Sequence, residues 1–126
     1  MIFAVDFDGT LCRNAWPEIG AENAALIGWL NRRKQMGDTL ILWTMREGEK
    51  LLEAIDWCAA HGLRFDAVND NAEEQKRAFG NNPRKVYADC YIDDHNAPIS
   101  PFANAVIWEA FCLLPDENCA TQEALL

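Results

Sequence analysis

The apolar residues of this chain switch between short unbroken runs and longer stretches at helical spacing, and that alternation restricts the fold to the α/β class. Unbroken runs at residues 2–7, 39–43, 65–68 and 88–92 predict strands buried on both faces, each followed by polar or turn residues. Between the first two, Ala25, Leu26, Trp29, Leu30 and Met36 predict one apolar helix face, running from about Asn23 to a stop at Gly37. Leu51, Leu52, Ile55, Cys58 and Ala59 repeat the spacing up to Gly62, and Glu73 and Glu74 ahead of Gly80 predict a short third helix. Ala103, Val106, Ile107, Ala110, Phe111 and Leu114, bracketed by Pro101 and Pro115, predict a fourth. Right-handed crossovers then give one Rossmann-like parallel sheet of four or five strands, ordered 3-2-1-4 by appearance, with helices on both faces. All 126 residues are expected in this single domain. Sheets of this kind bind ligands beyond the carboxyl ends of their strands at the switch point, here between the first strand and the fourth.

Charge and cysteine content narrow the partners. Eleven basic against twenty acidic residues leave a formal charge of -9, a field that repels nucleic-acid phosphates and anionic membrane surfaces. The five cysteines, Cys12, Cys58, Cys90, Cys112 and Cys119, are odd in number and contain no Cys-x-x-Cys pair, which predicts buried free thiols in a cytoplasmic protein. The apolar opening is too short to span a bilayer and carries no basic residue ahead of it.

The first strand runs into Asp6-Phe7-Asp8-Gly9-Thr10-Leu11, and the fourth ends in Tyr91-Ile92-Asp93-Asp94. In the expected sheet order both acidic pairs reach one crevice. Carboxylates crowded within a few ångströms repel unless some take up protons or a cation sits among them. Oxygen ligands with open positions suit Mg²⁺, which prefers one or two carboxylates, waters and a substrate phosphate to a closed protein cage.

The Asp6 to Leu11 segment resembles the first motif of the haloacid dehalogenase superfamily of phosphohydrolases. Leu42-Trp43-Thr44-Met45-Arg46 resembles the second motif, Lys85 stands where the third motif's lysine falls, and Asp93-Asp94 resembles the fourth. The stretch from Lys85 to Asp94 is similar to the deoxyribonucleotidase branch, and the whole chain to small members without a cap domain. The resemblance implies that Asp6 attacks phosphorus, that Asp8 acts as acid and then base, and that its carbonyl joins Asp6, Asp93 and Asp94 at Mg²⁺. It further implies that Thr44 holds a phosphoryl oxygen and that Lys85 neutralises charge there. Gly9, Thr10 and Arg46 are candidates for holding substrate. Arg46 is equally readable as an exposed charge, Lys85 competes with Arg84, Lys76 and Arg77, and which of Asp93 and Asp94 is the direct ligand stays open.

Other chemistries fit less well. Cys58 to Arg64 matches the Cys-x5-Arg spacing of a cysteine phosphatase loop, but the cysteine falls within a helix and on its core face. A phosphoacceptor signalling domain wants a lone aspartate after its third strand, where this chain has Val68-Asn69-Asp70, and it has no use for the acid/base two residues after Asp6. A non-catalytic Mg²⁺ or phosphate binder stays open. Neither the segment after Asp8 nor that between the third strand and Lys85 is long enough for a lid domain. An open crevice is therefore expected, accepting a phosphorylated small molecule or a protruding phosphoester, with a homo-oligomer left open as a cover. Trp16, in the segment after the first motif, is expected to pack, with stacking on a substrate ring as the rival role.

Overall fold

The computed structural model describes residues 1–83 and 85–96. The helix expected between Pro101 and Pro115, together with Arg84, Cys112 and Cys119, lies outside the described residues. From the N-terminus, β1 (Ile2–Val5) leads into a hairpin of β2 (Cys12–Ala15) and β3 (Glu18–Glu22). Then α1 (Ala24–Gln35) returns to β4 (Thr39–Leu42), α2 (Gly48–Ala60) to β5 (Ala67–Val68), and α3 (Glu73–Phe79) to β6 (Cys90–Ile92). The four strands β1, β4, β5 and β6 form a parallel sheet in the order β5-β4-β1-β6.

Register sets the site. Val5 pairs with both Leu42 and Ile92, so the next residue of each strand emerges at one level of the sheet. The Asp6 amide donates to the Ile92 carbonyl at 2.9 Å and the Trp43 amide to the Val5 carbonyl at 2.8 Å, which carries the ladder one step past the strand ends.

Alternation across the pleat splits the core into two layers. Phe3, Val5, Leu40 and Leu42 face Leu26, Trp29 and Leu30 of α1 and Ala54 and Cys58 of α2. On the other face, Ala4 and Ile41 lie against Val86 and Ala88. Among the described residues α1 and α2 share one face and α3 buries no residue, and the helix expected after Pro101, which bears on the other face, lies outside them. Two right-handed crossovers stepping the same way along a sheet must leave both helices on the same side. Within α1 the buried stripe is Leu26, Ile27, Trp29 and Leu30. Ala25 is exposed, and Met36, one residue past the helix end, is too. Leu52 is likewise exposed on α2. Complete burial of a leucine such as Leu26 or Leu30 contributes about 1.5–3 kcal/mol.

The hairpin was not foreseen as strands. Its burial patterns contain one buried residue, Cys12, so no period-two apolar face announces it. It is tied to the body by the N-terminus of α1. The Asn23 side chain accepts from the Leu26 amide at 3.2 Å as the helix N-cap, and its amide group donates to the Thr10 carbonyl at 3.1 Å. The Asn23 amide also donates to the Leu11 carbonyl at 2.8 Å. Among the described residues no helix is long and apolar enough to cross a membrane.

Candidate functional site

Beyond the carboxyl ends of β1 and β6, Asp6, Asp93 and Asp94 each offer a carboxylate oxygen, and these oxygens lie within 4.8 Å of one another. The half-buried Asp6 carboxyl is pushed up to about 8, first by burial and then by the neighbouring charge of Asp93, with Asp94 adding to the effect. Asp94 is raised as well, by burial and by its hydrogen bond with Asp93. Thr10 joins the two strand ends: its hydroxyl donates to Asp6 Oδ2 at 3.3 Å and accepts from the Asp94 amide at 3.1 Å. Gly9 leaves the room Asp94 needs. Its φ is +85°, and a Cβ there would stand 2.2 Å from Asp94 Oδ2. The chain turns at this point through bonds from the Thr10 and Leu11 amides to the Phe7 carbonyl.

Asp8 does not join this group through its carboxylate. Arg46 grips it in a bidentate pair, Nε donating to Oδ2 and Nη2 to Oδ1, both at 2.8 Å. Arg46 is 2% exposed, against the exposed charge or phosphate guide read from sequence. Its remaining donors reach the Glu18 carbonyl at 3.0 Å and the Lys50 carbonyl at 3.4 Å. The guanidinium lies 5.0 Å from the Phe7 ring centroid and 4.9 Å from that of Trp16. Cation–π contact of this kind, and hydrogen bonds to the carboxylate, make the burial of the charge tolerable. Trp16 thus packs on Arg46 while remaining 57% exposed.

Thr44 follows β4 at the same level. Its amide donates to Asn69 Oδ1 at 2.8 Å, and its hydroxyl accepts from the Arg46 amide at 3.1 Å, which leaves the hydroxyl proton free to donate. Asn69, with a φ of 51°, therefore braces Thr44 rather than capping α3, while the buried Asn71 accepts from the Tyr87 amide and organises the loop ahead of β6. Lys85 is exposed, its ammonium 6.0 Å from the Tyr91 ring centroid, and among the described residues it makes no ion pair. Its competitor Lys76 is committed to Asp70 at 2.7 Å and Glu73 at 3.2 Å.

The Cys58 to Arg64 segment forms no phosphate loop. Cys58 is fully buried in α2, and burial pushes its thiol up to about 12, so it supplies no thiolate. Cys12 and Cys90 are likewise buried and free. A cavity of about 530 Å³ opens beside Asp94, bounded by Gly9, Thr10, Asn14, Glu22 and Asn23. Sequence reasoning missed the Asp8–Arg46 pair, whose members stand 38 residues apart with no local signal joining them.

No protein-family model matches the sequence, and no curated protein matches it. The fold is similar to the solved structure of a conserved protein coded by a locus from Bacteroides thetaiotaomicron. The two chains are 38% identical, the match covers 94% of this chain and 95% of that one, and the TM-score is 0.71.

Proposed function

We propose that this chain, which belongs to the same family as the conserved protein from Bacteroides thetaiotaomicron, is a Mg²⁺-dependent phosphomonoester hydrolase of the haloacid dehalogenase type. The observation that carries the reading is the convergence of Asp6, Asp93 and Asp94 at the ends of two adjacent parallel strands, where burial and then the charge of Asp93 push the Asp6 carboxyl up to about 8. A carboxyl pushed up to about 8 is a poor nucleophile at neutral pH, and a hard divalent cation among three carboxylate oxygens removes that obstacle. Asp6, Asp93 and Asp94 would hold Mg²⁺, with the Asp8 carbonyl as a fourth protein ligand. When bound, the ion supplies positive charge that ionises Asp6 and offsets the charge on the phosphoryl oxygens.

In the first half-reaction a carboxylate oxygen of Asp6 forms a bond to phosphorus as the bond to the leaving oxygen breaks, and Asp8, acting in its protonated form with the proton taken from water in the preceding turnover, gives that oxygen a proton. In the second, water attacks the aspartyl phosphate, Asp8 takes the proton back, and phosphate departs with Asp6 restored. The Thr44 hydroxyl and the Gly9–Thr10 turn serve the phosphoryl oxygens, and Lys85 reaches them by leaving Tyr91. The cavity beside Asp94 is large enough for a small leaving group.

A screen of phosphomonoesters with Mg²⁺ or with EDTA, reading released phosphate, tests this. Activity is expected with Mg²⁺ alone, and Asp6→Asn should lower it at least ~10³-fold because a covalent step is lost. Wild-type turnover in Asp6→Asn overturns the reading.

A further inference from the structure

We infer that Arg46 is a positioning residue for Asp8, fixing the direction from which that carboxylate meets the leaving oxygen. The inference rests on the role of Asp8 proposed above, and it replaces the substrate contact expected of Arg46 from sequence. Asp8 lies just beyond β1, where an isolated bridge to Cys12, with the Gly9 amide donating to the Cys12 carbonyl at 2.9 Å, holds its backbone but does not set its side-chain torsions. Its orientation comes instead from two parallel bonds to one planar guanidinium, each 2.8 Å long, which define both the direction and the plane of the carboxylate. The guanidinium is itself fixed from several sides: by Phe7 and Trp16, by the Glu18 carbonyl of the hairpin and by the Lys50 carbonyl of α2. At 2% exposure it has no face left for a phosphate, so its charge is spent on Asp8. A misdirected acid is costly when the leaving group needs a proton and nearly harmless when it does not.

That asymmetry supplies the test. Steady-state kcat and KM are measured with Mg²⁺ for wild type, Arg46→Ala, Arg46→Lys, Asp8→Asn and the Asp8→Asn/Arg46→Ala double variant. Each is tested on an activated aryl phosphate and on an alkyl phosphate. Arg46→Ala should lower kcat roughly 10²-fold on the alkyl ester and only about fivefold on the aryl ester, with KM within about threefold of wild type. Arg46→Lys, which keeps the charge but not the planar fork, should recover part of the alkyl loss. In the Asp8→Asn background the Arg46→Ala change should add less than about twofold. Equal losses on both esters, or a full Arg46→Ala loss without Asp8, would make Arg46 a purely structural residue. If thermal melts show that Arg46→Ala does not fold, the alkyl-to-aryl ratio of Arg46→Lys decides the matter on the same criterion. A wild type that hydrolyses neither ester removes the hydrolase reading and this inference together, whereas uniform losses in an active enzyme remove this inference alone.

Discussion

At pH 7 an ordinary carboxyl is ionised, and burial beside Asp93 and Asp94 reverses this for Asp6. The reversal has a sign in stability. Asp6 ionises near 3.8 in the unfolded chain and near 8 in the folded one, so the folded state holds a proton that the unfolded state gives up. The resulting stabilisation is complete below the unfolded value and is lost as pH rises through the folded value. In EDTA, the wild type should therefore lose stability relative to Asp6→Asn between about pH 5 and pH 8, with the difference levelling above about pH 9. Urea titrations of the two proteins across that range check this, and parallel curves would count against a protonated Asp6. At this scale the meeting of Asp6, Asp93 and Asp94 was legible because polar residues that terminate apolar runs must emerge at the end of a sheet, whereas Thr44 was singled out only by the resemblance to the second motif. The role of Arg46 was not legible. Arginine is almost never fully buried unless paired, and its partner Asp8 is contributed by another element.

At the scale of elements, Asn23 does more than start a helix. Its side chain caps α1 and holds the Thr10 carbonyl, so the same residue fixes the helix entry and the turn that presents Thr10 to Asp6. Asn23→Ala should cost about 1–3 kcal/mol, one part for the cap and the rest for a buried carbonyl left without its donor. Chemical denaturation gives that number, and a loss under about 0.5 kcal/mol would mean that water or backbone replaces both bonds. The four parallel strands and three helices lie close to the positions that apolar runs, Asn23, Gly37, Gly62 and Gly80 indicated. The hairpin escaped because Arg13, Asn14, Glu18 and Glu22 give its strands two polar faces, leaving no alternation to detect. The helix faces were misread where Ile27 rather than Ala25 turns inward, a choice made by the position of the sheet and not by spacing alone.

For the whole molecule, the proposed Mg²⁺ binding would be coupled to folding. A ligand that binds only the native state at ten times its dissociation constant stabilises by RT ln 11, about 1.4 kcal/mol. With a chain charge of -9, that dissociation constant for Mg²⁺ should rise with ionic strength as the long-range attraction is screened. Cys12, Cys58 and Cys90 offer a way to read the same quantity without substrate. They sit in β2, α2 and β6, all buried, and Cys58 and Cys90 have thiols pushed up to about 12 and 11. A maleimide or iodoacetamide reagent reaches them only when the surrounding element opens, so modification followed by mass spectrometry works as a clock with three hands, one per element. Hands that advance together would report global unfolding, and a fast Cys12 hand would report the hairpin lifting by itself. Under conditions where reclosing outruns the reagent, Mg²⁺ at ten times its dissociation constant should slow a globally gated hand about elevenfold.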